Sequence, residues 1–347
     1  MRDVYAAYPE VLFVDATHKL TSLNLAVYLF VIEDGLGLSE IIGVGLVAEE
    51  EDGTSLRWLM ETLKSTNECS SITRVIMADK DITERKVFKE VLPDVALNIC
   101  LFHTLRTFKR EVTAAKMGIS QALVEVLAEL FQKMAYSDTL ETYVKHQTDF
   151  LEVSPIQVKN YFNDNWDHLC DEWVVGLQQQ SGNFGNSTNN RVESLNSKLK
   201  SVIKLYSSLE EFGQQFFSIL STLRVERDHK AADLFQKVMV IGNEHNSHQK
   251  QYSLILTNYS CDHVLKQMNL AEKAKYTFEN LQEEENHSYS VITKAGRITT
   301  TPTTCACNFN QSMKLPCRHI FSLRKELDLN LFCEELFHNR WSKAYCQ

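Results

Sequence analysis

Val11-Leu12-Phe13-Val14-Asp15-Ala16-Thr17 is an apolar run that ends in polar residues, and its reading orders the rest of the chain. Four consecutive apolar residues, with a β-branched one at each end, predict a short buried strand with Asp15 near its tip. Asn24 to Asp34 is rich in β-branched and aromatic residues and predicts a second strand; Glu40 to Ala48 predicts a third. The connections are short and polar or glycine-containing, so these three form an antiparallel meander. Ser55 to Thr66 carries Leu56, Leu59, Met60 and Leu63 at helical spacing. Residues 74–78 form a fourth strand, closed by Asp79-Lys80-Asp81. A helix follows from Glu84 to Val91 and stops before Pro93. Val95 to Cys100 is a fifth strand, leading into a basic helix from His103 to Val112.

This order, β-β-β-α-β-α-β-α, is the plan of an RNase H-like α/β domain, a meander followed by parallel strands with helical crossovers. Beyond it the apolar period becomes helical: Gln121 to Met134, Leu140 to Glu152, Pro155 to Leu177, Asn190 to about Leu205, and Ser208 to about Lys275. Ser181-Gly182-Asn183-Phe184-Gly185-Asn186 interrupts the run as a linker. Glu283-Glu284-Glu285 reads as a boundary. The expected organisation is an RNase H-like core at 1–117, a large helical region at 118–285, a small zinc finger at 286–335 and a tail at 336–347.

Cys305, Cys307, Cys317 and His319 stand as C-x-C-x9-C-x-H. Four soft or borderline ligands in fifteen residues suit a closed tetrahedral Zn²⁺ site, and the polar stretch from Asn308 to Pro316 can fold one pair onto the other. Zinc would supply much of the folding free energy of so small a unit. The pattern resembles the SWIM zinc finger, and the strand-like Tyr289-Ser290-Val291-Ile292 and the following Ile320-Phe321-Ser322-Leu323 fit that module. The resemblance implies zinc and a binding role toward nucleic acid or protein, without catalysis. Between Lys294 and Lys325 every ionisable side chain outside the zinc set is basic: Lys294, Arg297, Lys314, Arg318, Arg324 and Lys325. That surface suits a phosphate backbone or an acidic partner.

The chain has 347 residues and a net charge of −9, so it lacks the overall basic footprint of a nucleic-acid binder. Nine cysteines, an odd number, six of them scattered outside the metal set (Cys69, Cys100, Cys170, Cys261, Cys333 and Cys346), argue against a disulfide framework and for a reducing, intracellular setting. There is no C-x-x-C, which sets aside thiol-redox chemistry. No apolar run reaches membrane-spanning length and no signal peptide is visible. The start leads almost at once into a strand, so a preceding segment is expected in the natural protein.

In an RNase H-like sheet the strands ending at Asp15 and Asp79 are neighbours, and their carboxylates project from one edge. Two such groups can bind Mg²⁺, and a third carboxylate from a later helix completes a two-metal site for phosphoryl transfer. The candidate is Glu193 in Asn190-Arg191-Val192-Glu193-Ser194-Leu195-Asn196; Asp81 competes with Asp79. Val14-Asp15-Ala16-Thr17, Ala78-Asp79, Cys100-Leu101-Phe102-His103 and the Glu193 helix, in this order, resemble a Mutator-like (MULE) DDE transposase, with its helical insertion before the last acidic residue. Phe13 to Lys19, Asn190 to Asn196 and Arg340-Trp341-Ser342-Lys343-Ala344-Tyr345 are similar to the zinc finger SWIM domain-containing protein one and three family, animal proteins derived from such transposases. The resemblance implies the triad Asp15, Asp79 and Glu193, the C-x2-H element Cys100 and His103, and Mg²⁺ or Mn²⁺ where the triad is active. Two readings stay open. One is a domesticated nuclear factor binding DNA or protein through the basic zinc region. The other is an active DDE transposase or nuclease whose DNA channel is lined by Arg106, Lys109, Arg110 and Lys116 with Arg191, Lys198, Lys200 and Lys204. The acidic chain and the want of a targeting domain favour the first.

Overall fold

The computed structural model describes residues 1–48, 53–236, 247–281, 288–293 and 296–346. The acidic boundary at Glu283-Glu284-Glu285 and the basic Lys294 lie outside them.

A short helix, α1 (Arg2–Ala7), precedes the meander β1 (Val11–Thr17), β2 (Ala26–Glu33) and β3 (Ser39–Val47). Then follow α2 (Thr54–Thr66), β4 (Val75–Ala78), α3 (Ile82–Val91), β5 (Ala96–Ile99) and α4 (Leu101–Glu111). The strands form one mixed sheet in the order β3-β2-β1-β4-β5. β1 runs antiparallel to β2, with Asp15 opposite Leu29, and parallel to β4, with Val11 opposite Val75 and Phe13 opposite Met77. β4 and β5 are also parallel. All eight residues of β2 are buried, which is why its sequence shows no polar alternation. Gly45 on β3 is required by packing: a Cβ there would lie 2.3 Å from a Leu59 methyl of α2.

Seven helices continue the chain: α5 (Ala114–Met117), α6 (Gln121–Ala135), α7 (Leu140–Val153), α8 (Ile156–Asn165), α9 (Cys170–Trp173), α10 (Val175–Gln178) and α11 (Asn190–Val202). The single helix expected from Pro155 to Leu177 is therefore broken. Trp166 and Trp173 are both fully buried, and Trp173 Nε1 donates to the Trp166 carbonyl at 2.8 Å. Val174 is extended, and Gly176 presses against backbone: its N–H donates to Ser137 O at 3.0 Å, and a Cβ would meet Asp138 O at 2.3 Å. A straight helix cannot make that approach.

The helical stretch expected from Ser208 to about Lys275 comprises α12 (Leu209–Gln236), α13 (Ser247–Ile255) and α14 (Asn258–Lys273). Thr257, two residues past the end of α13, caps α14, its Oγ1 accepting from Ser260 N–H. Last come the three-stranded sheet β6 (Thr277–Leu281), β7 (Ser288–Thr293) and β8 (Gly296–Thr300), then α15 (Asn308–Met313) and α16 (Arg318–Glu326). Residues 320–323 thus lie in a helix.

The chain divides into two compact units, Pro9–Val31 with Gly43–Ser208, and Met1–Tyr8 with Ile32–Ile42 and Leu209–Gln347. The division expected at residue 118 falls inside the first. There Ile99 and Phe108 share one core with Phe131, Phe150, Phe162 and Trp173 of the helical region. Phe131 stacks on Phe108 at 3.9 Å and on Trp173 at 4.8 Å. In the second unit the C-terminal residues are structural: Trp341 is fully buried with Nε1 donating to Met313 O at 2.7 Å, and Arg340 donates to Glu33 O at 2.7 Å.

Phe131→Ala should remove the middle of the aromatic stack and cost roughly 3–5 kcal/mol. Equilibrium denaturation checks this; a loss below about 1 kcal/mol would mean that the stack closes over the cavity.

Candidate metal centres

Continuing the parallel register of β1 and β4 past Phe13 and Met77 places Asp15 level with Asp79. Asp15 lies within β1, two residues before its end, and Asp79 just beyond β4. The helix α11 brings up Glu193, and α4 brings up His103. His103 Nδ1 is 2.6 Å from Asp79 Oδ1 and 3.6 Å from Glu193 Oε1. Cys100, at the N-terminus of α4, is fully buried; its sulfur with a His103 nitrogen and a Glu193 oxygen form a set whose members all lie within 4.8 Å of one another. Asp15, Asp79 and Glu193 are therefore gathered around His103.

Two asparagines that the sequence reading left unassigned hold this arrangement. Asn196 Nδ2 donates to Asp15 Oδ2 at 2.6 Å, and Asn189 Nδ2 donates to Val14 O at 3.0 Å. The Asn189 backbone N–H also donates to Cys100 Sγ at 3.2 Å. Asn189, Glu193 and Asn196 are spaced by four and three, one helical face, and that period was the available signal. Asp81 has a different task from the triad's: it caps α3, its Oδ1 accepting from Glu84 N–H at 2.9 Å. Beside it a cavity of about 550 Å³ is lined by His18, Tyr28, Asp81 and Glu84 among others.

The charges in this region oppose one another. Burial, then the Asp79 charge, pushes the Asp15 carboxyl up to about 6. Burial raises Glu84 to about 7, partly offset by the Tyr28 hydroxyl donating to it at 2.7 Å. The Asp79 carboxylate, and then Cys100, hold the His103 imidazolium up to about 10, against its burial. His103 is thus the cation that accompanies the carboxylates when no metal is bound.

Basic side chains extend the same helix faces. Arg106 and Arg110 follow His103 by three and seven residues on α4, and Lys200 follows Glu193 by seven on α11. Arg106, Lys109, Arg110 and Lys200 are exposed, although Arg110 and Lys116 each lie 2.8 Å from Glu111. Arg191 Nε donates to Asn186 Oδ1 at 3.0 Å.

The second centre is Cys305, Cys307, Cys317 and His319, whose donor atoms also fall within 4.8 Å of one another. Cys305 follows β8 and bridges back to Thr300; Cys307 and Cys317 are the N-caps of α15 and α16. Lys314, in the left-handed region at φ 52°, turns the chain between them. Asn310 ties the loop by accepting from Cys305 N–H at 2.8 Å and donating to Leu315 O at 2.8 Å. His319 Nδ1 faces the sulfurs, 3.6 Å from Cys305 Sγ and 3.8 Å from Cys317 Sγ. A tetrahedral Zn²⁺ with ordinary sulfur and nitrogen bond lengths requires about 3.6 Å along that edge. Hydrogen bonds from Cys305 and then Cys317 hold the Cys307 thiol low, while burial drives Cys317 up, so three thiolates need a dication to coexist. The donors therefore fit Zn²⁺, and among the described residues His319 Nε2 is buried without a hydrogen-bond acceptor.

Around this cluster the basic side chains are partly committed. Arg324 is buried, donating to Asn330 O at 2.7 Å and Pro302 O at 2.8 Å, so it is a structural cation. Arg297 pairs with Glu279 at 2.6 Å. Arg318 is exposed.

A five-stranded sheet of this order, with carboxylates at adjoining strand ends, defines an RNase H-like domain. Residues 1–98 match the family model of the zinc finger SWIM domain-containing protein 1/3, RNaseH-like domain. Asp15 and Asp79 lie inside the match; Cys100, His103, Glu193 and the C-terminal cluster lie beyond it. No curated protein matches the chain.

Two outcomes test the centres. Because folding raises the Asp15 carboxyl to about 6 from its ordinary 3.8, its favourable contribution is complete below about 3.8 and lost as pH rises through about 6. Asp15→Asn, assayed by urea unfolding without added divalent metal, should stabilise the chain at pH 8 by on the order of 2 kcal/mol and far less at pH 4. An equal gain at both would discard the electrostatic account. For the cluster, Cys317→Ser should remove one zinc equivalent and speed hydrogen exchange across β8 to α16. Exchange unchanged after chelation would show that this region holds without metal.

Proposed function

We propose that the protein is a zinc-stabilised nucleic-acid-binding factor, domesticated from a DDE transposase and acting in the nucleus. The observation that carries this is the continuity of Arg106 and Arg110 with His103, and of Lys200 with Glu193, along α4 and α11. Phosphate groups would be neutralised by these cations while the carboxylates sit between them. Affinity of this kind is electrostatic and falls steeply with salt. The net charge of −9 limits such binding to a local patch. In the C-terminal module Zn²⁺, held by Cys305, Cys307, Cys317 and His319, would order the loop that presents Arg318 as a second phosphate contact.

The level placement of Asp15 and Asp79, with Glu193 beside His103, favours a second reading as a Mg²⁺- or Mn²⁺-dependent nuclease or transposase. The ions would lie on Asp15, Asp79 and Glu193, supplying activated water and charge stabilisation in phosphoryl transfer. Asn196 would orient Asp15, and His103 would have to release Asp79.

Fluorescence anisotropy with duplex DNA between low and physiological salt separates the possibilities. Binding should weaken linearly in log salt, and the double change Arg106→Glu with Lys200→Glu should reduce affinity about tenfold or more, with Asp79→Ala leaving it intact. Salt-independent or absent binding would turn the assignment toward a protein partner. Metal-dependent strand cleavage that vanishes in Asp15→Ala would establish the second reading.

A further inference from the structure

The carboxylate centre contains more than carboxylates. A thiol, an imidazole and two carboxylates meet there, contributed by β4, α4 and α11. We infer that this centre binds one zinc-class cation through Cys100, His103 and Glu193, as a metal site separate from the C-terminal cluster. This deepens the second reading above and rests on its premise that the carboxylate centre takes a cation.

Three observations carry the inference. The first is distance. Donor atoms of Cys100, His103 and Glu193 fall within 4.8 Å of one another, and His103 Nδ1 is 3.6 Å from Glu193 Oε1. Zinc with arms of roughly 2.0–2.3 Å places its ligands about 3.3–3.8 Å apart. The second is the state of the atoms themselves. Asp79 Oδ1, His103 Nδ1 and Glu193 Oε1 are buried, face each other, and lack the alignment of a directed hydrogen bond. A cation among them would satisfy all three at once. The third is the outer shell. The Asn189 backbone N–H donates to Cys100 Sγ at 3.2 Å, the kind of support that stabilises a metal-bound thiolate.

Donor chemistry decides the class of ion. Mg²⁺ takes six oxygens at about 2.1 Å in a strict octahedron and keeps its waters, so a sulfur and a nitrogen among the donors disfavour it. Zn²⁺ accepts mixed sulfur, nitrogen and oxygen sets. Asp79, now 2.6 Å from His103 Nδ1, becomes the fourth ligand if it moves away by about 1 Å to tetrahedral separation. Asp15 remains outside the first four, its carboxylate held by Asn196. Binding displaces one proton from the His103 imidazolium and the thiol proton of Cys100, so uptake of the ion releases protons to solvent.

The full chain, saturated with Zn²⁺, desalted in millimolar Mg²⁺ and analysed for metal, should hold two zinc ions. His103→Gln and Glu193→Gln should each hold one, and so should Cys305→Ser combined with Cys317→Ser. Circular dichroism establishes that each variant is folded. His103→Gln replaces a partly exposed group, so it decides the matter if a change at buried Cys100 unfolds the domain. With Co²⁺ in place of zinc, the C305S/C317S chain should retain a thiolate charge-transfer band that Cys100→Ser or His103→Gln abolishes. One zinc per wild-type chain, unchanged by His103→Gln, would overturn the inference, as would loss of the second ion to millimolar Mg²⁺. Failure of the two proposals is distinguishable. Two zinc ions without any strand cleavage would end the phosphoryl-transfer reading and leave this one. Mg²⁺-supported cleavage with a single zinc would do the reverse.

Discussion

The docking of α11 against β1 is the constraint on which the carboxylate centre depends. Asn189 and Asn196 reach across to the Val14 carbonyl and the Asp15 carboxylate, and Glu193 stands between them on the same helical face. These are buried or partly buried hydrogen bonds, so each missing partner would leave a desolvated polar group. The Asn189 backbone N–H also meets Cys100 at the start of α4, which joins the helix carrying Glu193 to the helix carrying His103. One asparagine therefore fixes the relation of three elements.

What the docking assembles is electrostatically strained. Asp15 and Glu84 are held above the ordinary carboxylate range mainly by burial, and His103 is held protonated by Asp79. Negative charge is concentrated where solvent screens it only in part, the Asp79 and Glu193 side chains being 38% and 31% exposed. A fold gains no stability from such a grouping; it is suited to receiving a cation or a proton. The exposed arginines and lysines on the continuing faces of α4 and α11 give the same region an opposite outer charge, so the centre is a negative focus within a positive border.

The C-terminal unit uses thiols for a comparable purpose. Cys305, Cys317 and His319 are buried together, and most of the surrounding polar groups serve the loop geometry: Asn310 bridges both arms, and Arg324 ties down Asn330 and Pro302. Basic residues that looked like a ligand-binding run are in part internal braces. The terminal Arg340-Trp341 pair belongs to the same unit as a buried prop. Clusters of charge in sequence do not report whether a guanidinium points to solvent or to a carbonyl.

Local chemistry was legible from residues alone. The five strands, the helices between them and the fifteen-residue C-x-C-x9-C-x-H set follow from periodicity and ligand spacing, because those signals act over a few residues. The places of Asp15, near the end of β1, and of Asp79, just beyond β4, were legible for the same reason. The breaks at Val174 and Thr257 were not. They arise where Gly176 must touch the Ser137–Asp138 backbone and where Thr257 must cap a new helix. The partners of the carboxylate centre were also decided only by tertiary structure. Cys100 and Asn189 are separated by 89 residues, and Val14 and Asn189 by 175. Pairings at that separation leave no period in the chain, because they are set by how the helix packs on the sheet and not by the conformational preferences of the residues themselves.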